Sequence, residues 1–272
     1  MNTLERIKLE KNWRRVVIKI GSSLIAPDER GCSTKFLLAL ADYIHHVLHQ
    51  NKQVVLVSSG SVAAGAALSQ VDLRQAITIP QKQALAAIGQ TRVMQHWQKL
   101  FDDTCAQILL TRADLENSQR VNNARNTVDT LLEMGAIPII NENDSVVVDE
   151  LVVGDNDNLA ALVAKMCHAD RLIICSDVDG LFDSDPGNNQ QAKLIRRVEK
   201  IDQDLLDCAG TTKNPIATGG MQTKLQAAQF ATAAGVETLI INGRKGTSFE
   251  NLKAERLTGT LFQAIKDAER NF

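Results

Sequence analysis

Short runs of branched apolar residues alternate along this chain with stretches in which apolar positions return every three or four residues. RRVVIKIG (14–21) reads as a buried strand, and TKFLLALADYIHHVLHQ (34–50) follows with apolar residues at 37, 40, 41, 44, 47 and 48, a helical spacing. QVVLVSSG (53–60) is a second strand running into a small-residue turn. A long helix over 81–101 leads to a third strand, AQILLT (106–111). A helix over 118–135, closed by Gly135, leads to a fourth, AIPIIN (136–141). SVVVDELVVGD (145–155) has the pattern of a hairpin, and VGDNDNLAALVAK (153–165) opens the next helix. RLIICSD (171–177) and ETLIING (237–243) are further strands, separated by a helix over 219–234. FDSDPGNNQQAK (182–193) is the most loop-like segment and is expected to be a mobile flap.

Strands this apolar, alternating with helices, predict an α/β protein with a mostly parallel sheet covered on both faces. A chain of 272 residues suffices for one large domain of this kind or two small ones, and no linker, repeat or domain boundary interrupts the pattern.

Composition narrows the class further. Hydrophobic residues make up 44% and charged residues 23% of the chain, an ordinary globular balance. A formal charge of −2 gives no electrostatic reason to expect nucleic acid or an anionic membrane as partner. The opening MNTLERIKLEKNWRR lacks the apolar core of a signal peptide, and no run is long enough to cross a bilayer. Five scattered cysteines (Cys32, Cys105, Cys167, Cys175, Cys208) without a CxxC pair argue for reduced thiols, against a disulfide framework or zinc site. The expectation is a cytoplasmic protein, with Cys105 and Cys175 as small core residues.

Ligands of open parallel sheets bind beyond the carboxyl ends of the strands. KIGSS (19–23), SSGS (58–61), NEND (141–144) and SDVDG (176–180) all follow strands. Each alone is ordinary turn chemistry, but four coincide. Lys19 interrupts VVIKI where a buried strand should be apolar; it either snorkels to solvent or meets an anion beside Gly21 and Ser22. In ATGGMQTKLQAAQFA (217–231) two glycines open a helix whose first turn carries Thr223 and Lys224. That is either a flexible helix start or a phosphate cradle at a helix N-terminus. Neither a Walker A motif nor a G-x-G-x-x-G fingerprint occurs in the chain.

Two lysines could clamp one transferring phosphoryl group, a reaction that needs positioning and charge neutralisation more than covalent chemistry. A carboxylate must then hold the two cations together. Asp155, Asn156, Asp157 and Asn158 exceed what one helix cap requires, and Asp157 is the candidate. Other chemistries fare worse. Ser58, Ser59 and Ser61 lie at a turn but form no GxSxG elbow. His45, His49 and Asp42 share a helix face, more simply a solvated face than a metal site. SDVDGLFDSDPG does not fit a calcium loop, and suits a turn with Asp177 and Asp179 near a ribose or magnesium.

These motifs together resemble the amino acid kinase family, and within it the glutamate kinases. The similarity runs in order from RVVIKIGSS through VVLVSSGSVAAG, KQALAAIGQ, QILLTRAD, NARNT, PIINENDSV, VGDNDNLAALVA, SDVDGLF and TGGMQTKLQAA to GTLF. NEND with GDNDN is the pair that separates glutamate kinases from kinases of the same fold acting on acetylglutamate, aspartate, carbamate or uridylate. The resemblance implies a three-layer αβα sandwich around an open, mostly parallel sheet. It implies ATP plus L-glutamate giving γ-glutamyl phosphate, the first step towards proline, with Mg²⁺ accompanying ATP.

By that resemblance Lys19 and Lys224 stabilise the γ-phosphoryl group and Asp157 orients both. Ser59, Gly60, Asp144 and Asn156, with Asn141 close by, would hold glutamate. Gly21 and Ser22, Ser176 and Asp177, and the stretch Thr218, Gly219, Gly220, Met221, Gln222, Thr223 and Lys224 would meet the nucleotide. The residue chemistry agrees: a glutamate side chain, with a pKa of about 4.3, is ionised at neutral pH and needs no general base.

The resemblance further implies a homo-oligomer (dimer or tetramer), proline as feedback inhibitor and a functional link to glutamyl phosphate reductase. Two departures accompany it. Many bacterial glutamate kinases continue into a PUA domain, whereas this sequence stops at Phe272; the expectation is one kinase domain over 1–272, its core about 12–265. Ala217 precedes Thr218 where glycine is frequent. Three rivals stay open: a kinase of the same fold with another acceptor, a non-catalytic amino-acid sensor, and a nucleotide-binding oxidoreductase.

Overall fold

Alternation along the strands sorts the core into two faces. The computed structural model describes residues 8–10, 12–27, 31–146, 156–203, 205–206 and 220–265. In β1 (Arg15–Ile20), Val16, Ile18 and Ile20 join one apolar cluster and Val17 the other. β2 (Gln53–Ser58) divides in the same way, Val54 and Leu56 against Val55 and Val57. β5 (Arg171–Ser176) sends Leu172 and Ile174 one way, Ile173 and Cys175 the other. A period of two with apolar residues on both faces is what a sheet buried between helices requires.

With β3 (Cys105–Leu110), β4 (Ile137–Glu142), β6 (Arg197–Val198), β7 (Glu237–Asn242) and β8 (Thr260–Phe262), the described strands form one eight-stranded sheet in the order β3-β4-β2-β1-β5-β7-β8-β6. All neighbours are parallel except β7 and β8. The chain leaves β1 for β2 on one side and later places β5 on the other. A crevice therefore opens at the carboxyl end of β1, the position where such sheets bind ligands.

One face is covered by α1 (Ser22–Ile25), α2 (Leu38–Leu48), α3 (Ser61–Ser69), α4 (Ile79–Gln98) and α9 (Gly246–Lys253), through Leu24, Ile44, Ala64, Trp97 and Phe249. The other is covered by α5 (Arg112–Glu116), α6 (Ser118–Glu133), α7 (Asn156–Met166) and α8 (Met221–Ala233), through Leu115, Val128, Leu159 and Leu225. This is the expected αβα sandwich. Lys19 has the parity of Val17, so it points to the face of α7 and α8.

Outside the expected hairpin, the strands and long helices read from the pattern are present, with ends moved by a few residues. The expected hairpin over 145–155 lies outside the described residues from 147 onward. The pattern misses α3, because SVAAGAALS is small and apolar all round and shows no stripe. It also misses α1, α5, α9, β6 and β8, each too short to set up a period. Cys175 is buried as expected, but Cys105 is half-buried because β3 is an edge strand. In the segment 182–193, Phe182 bridges Leu194, and Asp185 accepts from the Gly187 backbone N–H at 2.9 Å.

Candidate active site

The buried strand lysine meets its anion at the start of α7. Lys19 Nζ lies 2.5 Å from Asp157 Oδ1, and Lys224 Nζ lies 3.1 Å from Asp157 Oδ2. Each ammonium occupies a separate oxygen of one carboxylate, and Thr223 Oγ1 donates to Oδ2 at 3.3 Å. Lys19, Asp157 and Lys224 are 4%, 0% and 5% exposed, which settles the choice between a snorkelling lysine and a buried ion cluster. Removing one partner of such a buried pair costs about 3–5 kcal/mol, so all three side chains are interdependent. Two cations on one anion leave these three side chains with a net positive charge.

Their positions follow from local structure. β1 ends in register with β5, Lys19 opposite Ile174, so Lys19 sits at the sheet's carboxyl edge. Asp157 lies in the first turn of α7, where a negative charge is favoured by the helix dipole. Lys224 lies in the first turn of α8, whose N-cap Gly220 offers no side chain to the exposed backbone N–H groups. Met221 and Thr223 are half-buried and Gln222 is exposed there; Thr218 and Gly219 lie outside the described residues. Gly21 caps α1 and its Cα-side space lies near Lys19 Nζ, while Ser22 is exposed beside it.

A second, uncharged group joins the ends of β2 and β4 to the start of α7, where Asn156 directly precedes Asp157. Asn156 Nδ2 donates to Ser59 Oγ and to Asn141 Oδ1, both at 2.8 Å. Gly60 turns the chain from β2 into α3 with φ 100°, and a Cβ there would stand 3.0 Å from Ile25, so glycine is required. Asp144 accepts from Ser61 Oγ at 3.0 Å. Burial pushes the Asp144 carboxyl above the usual range, although the Ser61 hydrogen bond and nearby Lys82 act against that.

The polar residues at and after the end of β5, and on α2, make contacts of their own, apart from the Lys19–Asp157–Lys224 cluster. Ser176 Oγ donates to Asp177 Oδ1 at 3.3 Å, and Asp177 Oδ2 stands 3.7 Å from Arg244. Asp179 is committed elsewhere: Lys245 Nζ lies 2.6 Å from Oδ1, and Asn242 Nδ2 donates to that oxygen at 2.8 Å. The bound Lys245 holds the Asp179 carboxyl below its usual range. Ser58 Oγ accepts from Trp97 Nε1 at 2.8 Å and serves the core. Asp42 pairs with Lys253, while His45 stands 4.0 Å from Asp103, so the histidine face is not assembled as a metal site. Cys175, pushed up to about 12 by burial, stays a neutral thiol beside Lys19.

Two polar residues at the site escaped sequence reasoning. Ser61 was visible in SSGS, but its partner lies 83 positions away. Gln90 accepts from Asn141 Nδ2 at 3.0 Å. Its signal is a polar side chain on the stripe Leu85, Ala86, Gly89, Val93 and Trp97 that α4 buries.

The model of the amino acid kinase family matches residues 14–242, most of the chain. The chain belongs to the amino acid kinase family. It is 46% identical over 260 residues to the glutamate 5-kinase of Idiomarina loihiensis, covering 96% of this chain and 70% of that relative. It is 48% identical over 253 residues to the glutamate 5-kinase of Salinibacter ruber, covering 93% of this chain and 67% of that one. Among solved structures, the fold matches a UMP kinase from Bacillus anthracis with TM-score 0.62 at 14% identity, over 93% of this chain and 97% of that one. It also matches an isopentenyl phosphate kinase with TM-score 0.61 at 15% identity, over 92% and 100%. Acceptors in this fold thus differ widely, and the amino acid kinase cleft must be read from its own residues.

Proposed function

We propose that this amino acid kinase transfers the γ-phosphoryl group of ATP to the γ-carboxylate of L-glutamate, releasing ADP and L-glutamyl 5-phosphate. The observation that carries the reading is the buried Lys19–Asp157–Lys224 cluster facing the Ser59, Asn141 and Asn156 amide–hydroxyl group. The relatives named glutamate 5-kinase support the choice of acceptor.

The attacking carboxylate is already ionised, so the barrier to be lowered is repulsion between it and the ATP phosphates. Lys19 and Lys224 neutralise charge as it spreads over the transferring group. Asp157, bound to both cations, orders them and is not a base. Backbone N–H groups at Met221 to Thr223 and at the turn of Gly21 and Ser22 receive the phosphates, with Thr218, Gly219 and Gly220 leading into α8. Ser176 and Asp177 border the nucleotide. Ser59 and the Gly60 turn hold a substrate carboxylate, and Asp144 with Asn156 and Asn141 takes the α-ammonium.

Mg²⁺ enters with ATP as a counter-ion of its phosphates. The donor set fits that mode, because magnesium commonly keeps waters and substrate phosphates as ligands. Among the described residues no group of three or more His, Cys, Asp or Glu side chains gathers into a cage.

Three further proposals accompany the family. One is a cytoplasmic homo-oligomer, supported by exposed Leu68, Leu73 and Ile88 around the α3–α4 pair. The others are inhibition by proline, and onward reduction of the labile acyl phosphate by glutamyl phosphate reductase. The single-domain reading, 1–272 with its core over 12–265, is supported by one sheet uniting all the described strands. No helix among the described residues is long and apolar enough to cross a membrane.

The test is ADP release with ATP, Mg²⁺ and a panel of amino acids, with hydroxylamine present to trap the acyl phosphate. Hydroxamate formed with L-glutamate, and not with aspartate or N-acetylglutamate, is the expected result. Turnover indifferent to L-glutamate would refute the acceptor.

A further inference from the structure

We propose that Gln90 is a positioning residue that sets donor and acceptor polarity at the amino-acid end of the cleft; this rests on the glutamate-kinase reading. Three side-chain amides and one hydroxyl form a continuous chain there. Gln90 Oε1 accepts from Asn141 Nδ2 at 3.0 Å, and Asn141 Oδ1 accepts from Asn156 Nδ2 at 2.8 Å. The second hydrogen of Asn156 Nδ2 goes to Ser59 Oγ at 2.8 Å.

An amide nitrogen has two hydrogens to give, and its oxygen only accepts. With both Nδ2 hydrogens used, what Asn156 offers a ligand is Oδ1, an acceptor suited to an ammonium. Ser59 Oγ, having accepted one bond, gives its own proton outward, which suits a carboxylate. With its oxygen toward Asn141, Gln90 is the buried end from which this direction runs. Because its oxygen faces Asn141, Asn141 must present Oδ1 to Asn156, and the rest follows. Reversing any one amide would set oxygen against oxygen or nitrogen against nitrogen.

Gln90 borders a small cavity together with Asp144, and its link to Asn156 and Ser59 runs through Asn141. It is 8% exposed and projects from a helix packed closely against α3. A Cβ on the preceding Gly89 would stand 1.8 Å from the Ser61 carbonyl oxygen, and one on Gly65 would stand 1.9 Å from the Leu85 oxygen. The α3 and α4 backbones touch at both glycines, which fixes the origin of the amide chain relative to Ser59 and Ser61.

The test compares Gln90→Leu, which removes the acceptor, with Gln90→Glu, which keeps an acceptor oxygen facing Asn141. Steady-state kinetics are measured with ATP, L-glutamate and hydroxylamine, alongside thermal unfolding of each variant. Gln90→Leu is expected to raise KM for L-glutamate about tenfold or more, the worth of one lost buried hydrogen bond. Its kcat and KM for ATP stay within about twofold of the parent, and Gln90→Glu stays within about threefold on all three parameters. In an Asn141→Ala background, Gln90→Leu should add nothing, because the path is already cut.

Unchanged KM in Gln90→Leu overturns the proposal. So does a Gln90→Glu variant as impaired as Gln90→Leu, or a full effect of Gln90→Leu in the Asn141→Ala background. A Gln90→Leu protein that does not fold leaves Gln90→Glu and Gln90→Met, and the same KM criterion applied to those two decides. Absence of L-glutamate-dependent turnover in the parent removes the kinase reading and this proposal with it; turnover with unaltered variants removes the proposal alone.

Discussion

In the proposed reading, the two ends of this cleft solve recognition with different physics. The phosphoryl end is a buried ion cluster, two lysines on one aspartate, each 5% or less exposed. The amino-acid end is a chain of neutral amides and hydroxyls running from Gln90 to Ser59, with Asp144 as its carboxylate. Charge is concentrated where charge moves during reaction, and neutral dipoles stand where a substrate must be held in one orientation. The difference teaches that loss at one end should appear in kcat and loss at the other in KM.

The largest break is expected at the phosphoryl end. Lys224→Ala should lower kcat about a thousandfold with little change in KM for L-glutamate, read from initial rates of hydroxamate formation. At the other end, Asp144→Asn should raise KM for L-glutamate about 10–100-fold, since a hydrogen bond to a charged group is worth about 1.5–3 kcal/mol.

The pH behaviour of Asp144 sharpens the contrast. Burial raises its pKa in the folded state above the ordinary 3.8, so the folded protein binds that proton more tightly than the unfolded chain. Between 3.8 and the raised value the Asp144 contribution to stability falls as pH rises, and above that window the ionised carboxylate is a cost. Asp144→Asn should thus unfold at no lower temperature than the parent at neutral pH while binding glutamate poorly, measured by thermal scans at several pH values. Smallest is Gly89→Ala: the added methyl forces α4 from α3, lowering stability by about 1–3 kcal/mol and raising KM for L-glutamate modestly.

The comparison also marks what the sequence could disclose. Lys19 stood out because a charge in VVIKI violates the pattern of a buried strand, and Asp157 because GDNDN exceeds a cap's needs. Charged groups in apolar company are conspicuous in one dimension. The neutral end was less legible. Asn141 and Asn156 could be placed beside glutamate by resemblance, but Gln90 read as an ordinary helix residue and Ser61 as one of three serines at a turn. Their partners lie 51 and 83 positions away, at and just beyond the end of β4, and only the tertiary fold brings them together. Asp179 failed in the opposite sense: it looked like a ligand residue, yet Lys245 and Asn242 occupy it. That segment's sequence shows an acidic turn without showing the cation waiting after β7. The helix α3 was hidden by its uniformity, since small residues all round leave no stripe to detect.

Asp157→Asn probes the ion cluster most directly, because it keeps the side chain's shape and removes only the charge that holds both lysines. Set beside Asn156→Ala in the hydroxamate assay, it should lose at least about a thousandfold in kcat with KM for L-glutamate nearly unchanged, while its neighbour loses mainly in KM. A folded Asp157→Asn protein that keeps kcat within about tenfold of the parent would contradict the idea that this anion orders the phosphoryl clamp.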